Sequence, residues 1–88
     1  MMARYVQKSS YETTHLDNEY IILNTIDYTV TKLNDVGGVC WSLLEKDQTA
    51  ESITKILRQE YQKSDVNEKD IEEFLSHLME CGLVKYAV

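Results

Sequence analysis

The sequence lacks long apolar runs and is poor in positive charge. No apolar stretch approaches the roughly 20 residues that cross a bilayer, and residues 1–9 lack the apolar centre of a secretory signal. Nine Lys and Arg residues stand against 15 Asp and Glu, which gives a formal net charge of −6. Affinity for nucleic acid depends largely on clustered Lys and Arg. We therefore expect a cytoplasmic protein that binds neither membranes nor nucleic acid and whose partner is neutral or basic.

Residues suited to catalysis or metal binding are equally few. The two cysteines, Cys40 and Cys81, lack Cys-x-x-Cys spacing, so we expect two buried free thiols. His15 and His77 belong to no His-Glu-x-x-His motif, and a Glu73–His77 pair on one helix face is common on solvated surfaces. The three glycines form no phosphate-binding loop. The sequence therefore predicts a non-enzyme with no catalytic residue, no metal site and no cofactor.

The residues that are present indicate one small folded domain over residues 1–88. Hydrophobic residues make up 43 % of the chain, and disordered chains lack the apolar surface that offsets the entropy of ordering. A weak strand signal lies in residues 4–14, and a run of β-branched and aromatic residues follows in residues 19–24. Residues 28–33 alternate in the period-2 manner of a half-buried strand. These signals predict a three-stranded antiparallel sheet.

Three helical signals follow the strands. Asn34 can cap a first helix over residues 35–45, whose buried side would include Trp41. A second helix begins near Thr49, and a third follows Asn67 and ends before Gly82. The last residues form an extended segment or wing. The predicted fold class is α+β, with an N-terminal three-stranded antiparallel β-sheet followed by a three-helix bundle similar to a winged helix-turn-helix.

This order of elements is also typical of winged-helix DNA-binding domains, whose third helix reads DNA. Residues 68–82 carry five acidic side chains and one basic side chain, Lys69, and acidic side chains repel phosphates. A winged-helix DNA-binding or transcription-associated domain remains the alternative function. A further alternative is an acidic adaptor that binds another protein through the exposed face of the third helix.

Several short segments carry a resemblance to a known family. Residues 33–37 (Leu-Asn-Asp-Val-Gly), followed by residues 41–44 (Trp-Ser-Leu-Leu), resemble the PqqD-like family of peptide chaperones, the RiPP recognition elements. The family's order continues in Thr49, Glu51 and Ile53, in Phe74-Leu75 with Leu78, and in residues 81–84 (Cys-Gly-Leu-Val). The resemblance covers about residues 17–85, and it rests on the joint order of these pieces.

The resemblance implies binding of the leader segment of a ribosomally synthesised precursor peptide. The leader would add as a strand to the third β-strand, residues 27–33, and lie against the third helix. A standalone domain of this length resembles the proteins of lasso-peptide clusters that present a precursor to a separate leader peptidase and a macrocyclase. The predicted peptide-binding residues are Tyr28, Val30, Lys32 and Leu33 on the strand and Asp70, Glu73, Phe74, His77, Leu78 and Cys81 on the helix.

An open strand edge gives affinity through main-chain hydrogen bonds and leaves specificity to side-chain pockets. Asp70 and Glu73 would attract basic residues of the leader, while the apolar side chains would take its apolar anchors. Structural alternatives remain for each group: Phe74 and Leu78 as core, Tyr28 and Val30 packed under the helices, the acids as a solvated face, and Lys32 as protection of an edge strand. Open edges also permit a strand-paired or domain-swapped homodimer.

Overall fold

A computed structural model describes residues 3–8 and 11–87 of the chain. Its strands are β1 (Arg4–Gln7), β2 (Glu12–Leu16), β3 (Glu19–Asn24), β4 (Thr29–Asn34), β5 (Gln48–Thr49) and β6 (Val84–Tyr86). Its helices are α1 (Asp35–Leu43), α2 (Ala50–Glu60) and α3 (Glu68–Glu80). In the part of the chain that the structure describes, no helix is both long enough and apolar enough to span a membrane.

The strands form two antiparallel sheets of three strands each. One is the meander β2-β3-β4, and in the other β1 lies between β5 and β6. The predicted α+β fold, a sheet followed by three helices, is confirmed. The single weak strand predicted in residues 4–14 is instead two strands that belong to different sheets. The segment predicted as a wing supplies β6, which pairs with β1.

Trp41 attaches α1 to the inner face of the meander. The side chain is almost fully buried, and its Nε1–H donates to the Thr13 hydroxyl of β2 at 3.1 Å. Thr13 is paired with Ile22 of β3, which is itself in the core. The remaining core side chains come from all three helices and from both sheets, and include Leu44, Ile53, Leu57, Leu75, Leu78 and Leu83.

A close contact with Tyr20 of β3 fixes the position of α1 along the sheet. The Tyr20 ring lies so near Gly38 that a Cβ at Gly38 would fall 1.8 Å from Tyr20 Cδ1. The same ring stacks on His15, with ring centroids 4.1 Å apart. Because only glycine permits this approach, α1 lies close against β3, and its first turn is held directly after the end of β4.

All three helices begin at the predicted capping residues. Asn34 accepts from the Gly37 N–H at 2.8 Å, and Asn67 accepts from the Asp70 N–H at 2.9 Å. Thr49 forms a reciprocal capping box with Ser52. These side chains satisfy amide groups that the first turn of a helix leaves free. The first turns of α1 and α3 are therefore held firmly, and both border the site described next.

Candidate functional site

One edge of β4 is open. The strand pairs with β3 along its whole length, and within residues 3–8 and 11–87 no strand pairs with its other side. In an antiparallel strand, backbone N–H and C=O groups point alternately to the two sides. The six residues of β4 therefore present a row of free donors and acceptors roughly 20 Å long.

An apolar groove opens where β4 ends. It lies between the first turn of α1 and the first half of α3 and has a volume of about 220 Å³. The lining residues are Asn34, Val36, Gly37, Cys40, Val66, Asp70, Ile71 and Phe74. Asn34 is the last residue of β4, so the open edge and the groove adjoin each other. The Phe74 ring forms one wall, since its Cζ would lie 3.3 Å from a Cβ placed on Gly37.

The structure divides the predicted site residues on the strand into two groups. Val30 and Lys32 of β4 are exposed, as is Tyr28, which precedes the strand in a left-handed conformation with φ of 56°. Leu33 is buried in the core, on the opposite face of the strand. An added strand would therefore meet exposed side chains at Val30 and Lys32, whereas Leu33 would support β4 from beneath.

The predicted residues on α3 also differ in their surroundings: some line the groove, some are exposed, and one lies in the core. Asp70 and Phe74 line the groove, and Glu73 is exposed beside them. Leu78 is fully buried in the core. His77 and Cys81 lie one turn apart near the end of α3, where the Cys81 Sγ is 3.9 Å from the His77 Nε2. The groove thus brings two of the predicted helix residues together with Asn34 at the end of β4, and none of the predicted strand residues lines it.

Sequence reasoning missed several residues of the groove. The Leu-Asn-Asp-Val-Gly segment contains Asn34, Val36 and Gly37. It predicts the junction between strand and helix, but it does not predict that these residues line a groove. Ile71 appears in the sequence as an ordinary core position of α3. Val66 lies in the connection between α2 and α3, and no local pattern distinguishes it.

The site is acidic on its helical side. In the described residues the one ion pair joins Arg4 and Asp47, at 2.7 Å and far from α3 in sequence. The hydrogen bond from Arg4 lowers the pKa of the Asp47 carboxyl. Among residues 3–8 and 11–87, no Lys or Arg forms an ion pair with Asp70 or Glu73, both of which are exposed. No three His, Cys, Asp or Glu side chains of residues 3–8 and 11–87 converge in a way that could hold a metal ion.

The two thiols differ in accessibility. Burial raises the pKa of the Cys40 thiol to about 11 and covers nearly all of its surface. Cys81 is only partly buried. Because the thiolate is the reactive form, we expect iodoacetamide at pH 8 to modify Cys81 in the folded protein and Cys40 only after unfolding in urea. Peptide mapping by mass spectrometry measures both sites, and a folded Cys81→Ser variant that still reacts rapidly would contradict this assignment.

Comparisons with known proteins bear on this site. The family model for coenzyme PQQ synthesis protein D (PqqD) matches residues 19–84, which run from the start of β3 into β6. No curated protein sequence matches the chain. Among solved structures, the chain is similar to TbiB1 in complex with the TbiA(beta) leader peptide, with 30 % sequence identity and a TM-score of 0.75. The match covers 94 % of this chain and 99 % of the other.

Proposed function

Because the chain belongs to the PqqD family, as its sequence predicts, we propose that it binds the leader segment of a ribosomally synthesised precursor peptide without catalysing a reaction. The observation that carries this proposal is the open edge of β4 beside an apolar groove, in a chain similar to a protein that was solved with a leader peptide. The leader adds to β4 as a fourth strand of the meander and continues into the groove between α1 and α3.

Main-chain hydrogen bonds alone do not supply a useful affinity. Each contributes about 1 kcal/mol net. Three of the six residues of β4 each offer one N–H and one C=O to the open edge, so roughly six bonds give about 6 kcal/mol. Micromolar binding requires about 8 kcal/mol beyond the entropy lost on association. Burial of a large apolar side chain contributes about 2–3 kcal/mol. The side chain that enters the groove beside Phe74 therefore decides both affinity and sequence preference.

The bound precursor is then presented to a separate leader peptidase and to a macrocyclising or other modifying enzyme. No catalytic group is needed for this role, because holding the precursor close to an enzyme raises its local concentration. A small binding domain with an exposed strand edge is sufficient for that purpose.

The acidic side of the groove is expected to favour a leader with basic residues. We expect the double variant Asp70→Asn/Glu73→Gln to bind such a leader about twofold to thirtyfold more weakly at low salt, since each of the two exposed charge pairs contributes about 0.2–1 kcal/mol. The difference should shrink in 0.5 M salt, where charges are screened within a few ångströms. Glu51→Gln, an exposed acid on α2, is the matched control and should bind as the wild type does. Fluorescence anisotropy of a labelled leader measures all three affinities.

The proposed function itself is tested by titrating the purified protein with the synthetic leader of the precursor encoded beside it. We expect saturable binding with one leader per chain, and no binding of duplex DNA in a gel shift at low salt. A protein that binds DNA under those conditions and binds no leader would support the winged-helix alternative instead.

A further inference from the structure

The outward face of the meander carries apolar side chains, of which only Val30 belongs to the predicted leader site. Side chains alternate along a strand, and residues paired across two strands share a face. Ile22 of β3 is buried beneath the helices, so its neighbours Ile21 and Leu23 point outward. The pairing register places Val30 beside Leu23 and puts Leu16 of β2 on the same side. Four apolar residues therefore share the face opposite the core.

Much of this surface is open to solvent. Leu16 is 54 % exposed and Val30 is 58 % exposed. We call Leu16, Ile21, Leu23 and Val30 the outer sheet face. A cluster of exposed large apolar side chains on a small protein typically marks an interaction site.

The size of the outer sheet face favours a transient partner over a permanent second copy. Three strands of five or six residues present a flat area of roughly 300 Å². A stable interface buries about 800 Å² on each partner. Even with the hairpin turn included, the face falls well short of what a lasting homodimer requires. An area of this size is consistent with a partner that binds transiently.

The rim of the face indicates the charge of that partner. Glu12 is paired with Leu23, and Glu19 is paired with Leu16, so both carboxylates lie on the outward side. Lys32, which is paired with Ile21, is the one Lys or Arg residue of β2, β3 and β4. An apolar patch surrounded by Lys or Arg would complement this surface.

We propose that the outer sheet face docks the enzyme that processes the precursor, through an apolar patch with a basic rim on that enzyme. The inference rests on the proposed function, because the leader at β4 would extend the same sheet by one strand. Alternate side chains of the leader would continue the outer sheet face. The enzyme and its substrate are then held on adjoining parts of one surface, which accounts for the position of the apolar residues.

The experiment compares Leu16→Lys/Leu23→Lys with the control Tyr61→Lys. Leu16 and Leu23 lie outside both β4 and the groove, while Tyr61 is an exposed apolar residue at the end of α2. The probe is the leader peptidase encoded in the same gene cluster, titrated calorimetrically without leader. We expect the double variant to bind it about tenfold more weakly or worse, and the control to bind normally. All variants should bind the leader with wild-type affinity.

A peptidase that does not bind the wild type, or that binds the double variant equally well, would overturn the proposal. A wild-type dimer in sedimentation that dissociates in the double variant would also overturn it, because a second copy would then occupy the face. Failure of the wild type to bind leader in the separate leader titration would instead count against the proposed function. The peptidase titration contains no leader and does not test that function. Circular dichroism checks folding, and Leu16→Thr/Leu23→Thr repeats the comparison with a residue suited to strands if the lysine variant unfolds.

Discussion

Phe74→Ala is expected to weaken leader binding by about a hundredfold while the chain stays folded. The ring forms a wall of the groove, and loss of a central aromatic contact in an interface commonly costs about 2–4 kcal/mol. Phe74 is only partly buried, so its removal should lower the free energy of unfolding by less than the 3–5 kcal/mol seen for fully buried aromatic residues. Anisotropy titration and urea unfolding measure the two effects separately.

Met79→Ala is the matched control for Phe74→Ala. Met79 is also a partly buried apolar residue of α3 that packs against the core, but it does not line the groove. We expect this variant to lose stability by about 1–2 kcal/mol and to keep its leader affinity. Equal leader affinity in Phe74→Ala and the wild type would show that the leader does not use the groove. Equal loss in both variants would show that the effect reflects stability alone.

Gly38→Ala is expected to destabilise the protein by about 2 kcal/mol, although the same change within an exposed helix stabilises by about 1 kcal/mol. The new Cβ would lie 1.8 Å from Tyr20 Cδ1 and 2.2 Å from Tyr20 Cγ. The Tyr20 ring must therefore leave its place, lose its stack on His15, or push α1 away from β3. Overpacking of this kind typically costs 1–3 kcal/mol. Equilibrium unfolding in urea measures the change.

Gly37→Ala provides a matched control one residue away in the same helix. Its Cβ would lie 3.2 Å from Asn34 Oδ1, so shifts of a few tenths of an ångström suffice. We expect little change in the free energy of unfolding, because gained helix propensity balances those shifts. A Gly38→Ala protein as stable as the wild type would mean that Tyr20 does not hold α1 against the sheet. In that case Gly38→Ala should change the free energy of unfolding equally little in the wild type and in a Tyr20→Ala background.

The helices could be predicted because the signals that define them are local. Asn34, Thr49 and Asn67 each stand directly before a run of apolar residues with helical spacing, and each caps a helix in the structure. The second sheet could not be predicted in this way. Its strands β5 and β6 are two and three residues long, and their partner β1 lies far away in the sequence. Pairing at such a distance leaves no periodic pattern.

The residues that line the groove could be predicted only in part, for a related reason. Asp70 and Phe74 were expected on the peptide-facing side of the third helix, and both line the groove. Leu33 and Leu78 were also expected to contact the peptide, but both lie in the core. An apolar stripe predicts which side of a helix or strand is buried, but it does not show whether the core or a bound peptide covers that side. The rest of the groove arises where α1 meets α3, and that contact is tertiary.

Leader addition to β4 is tested most directly by amide hydrogen exchange, followed by nuclear magnetic resonance, with and without saturating leader. We expect alternate amides of β4 to exchange more slowly when leader is bound, since those N–H groups would then donate to the added strand. The amides of β2 serve as an internal control, because that strand forms the opposite edge of the same sheet and should be unaffected. Saturated binding that leaves β4 unprotected, or that protects β2 instead, would contradict strand addition at β4.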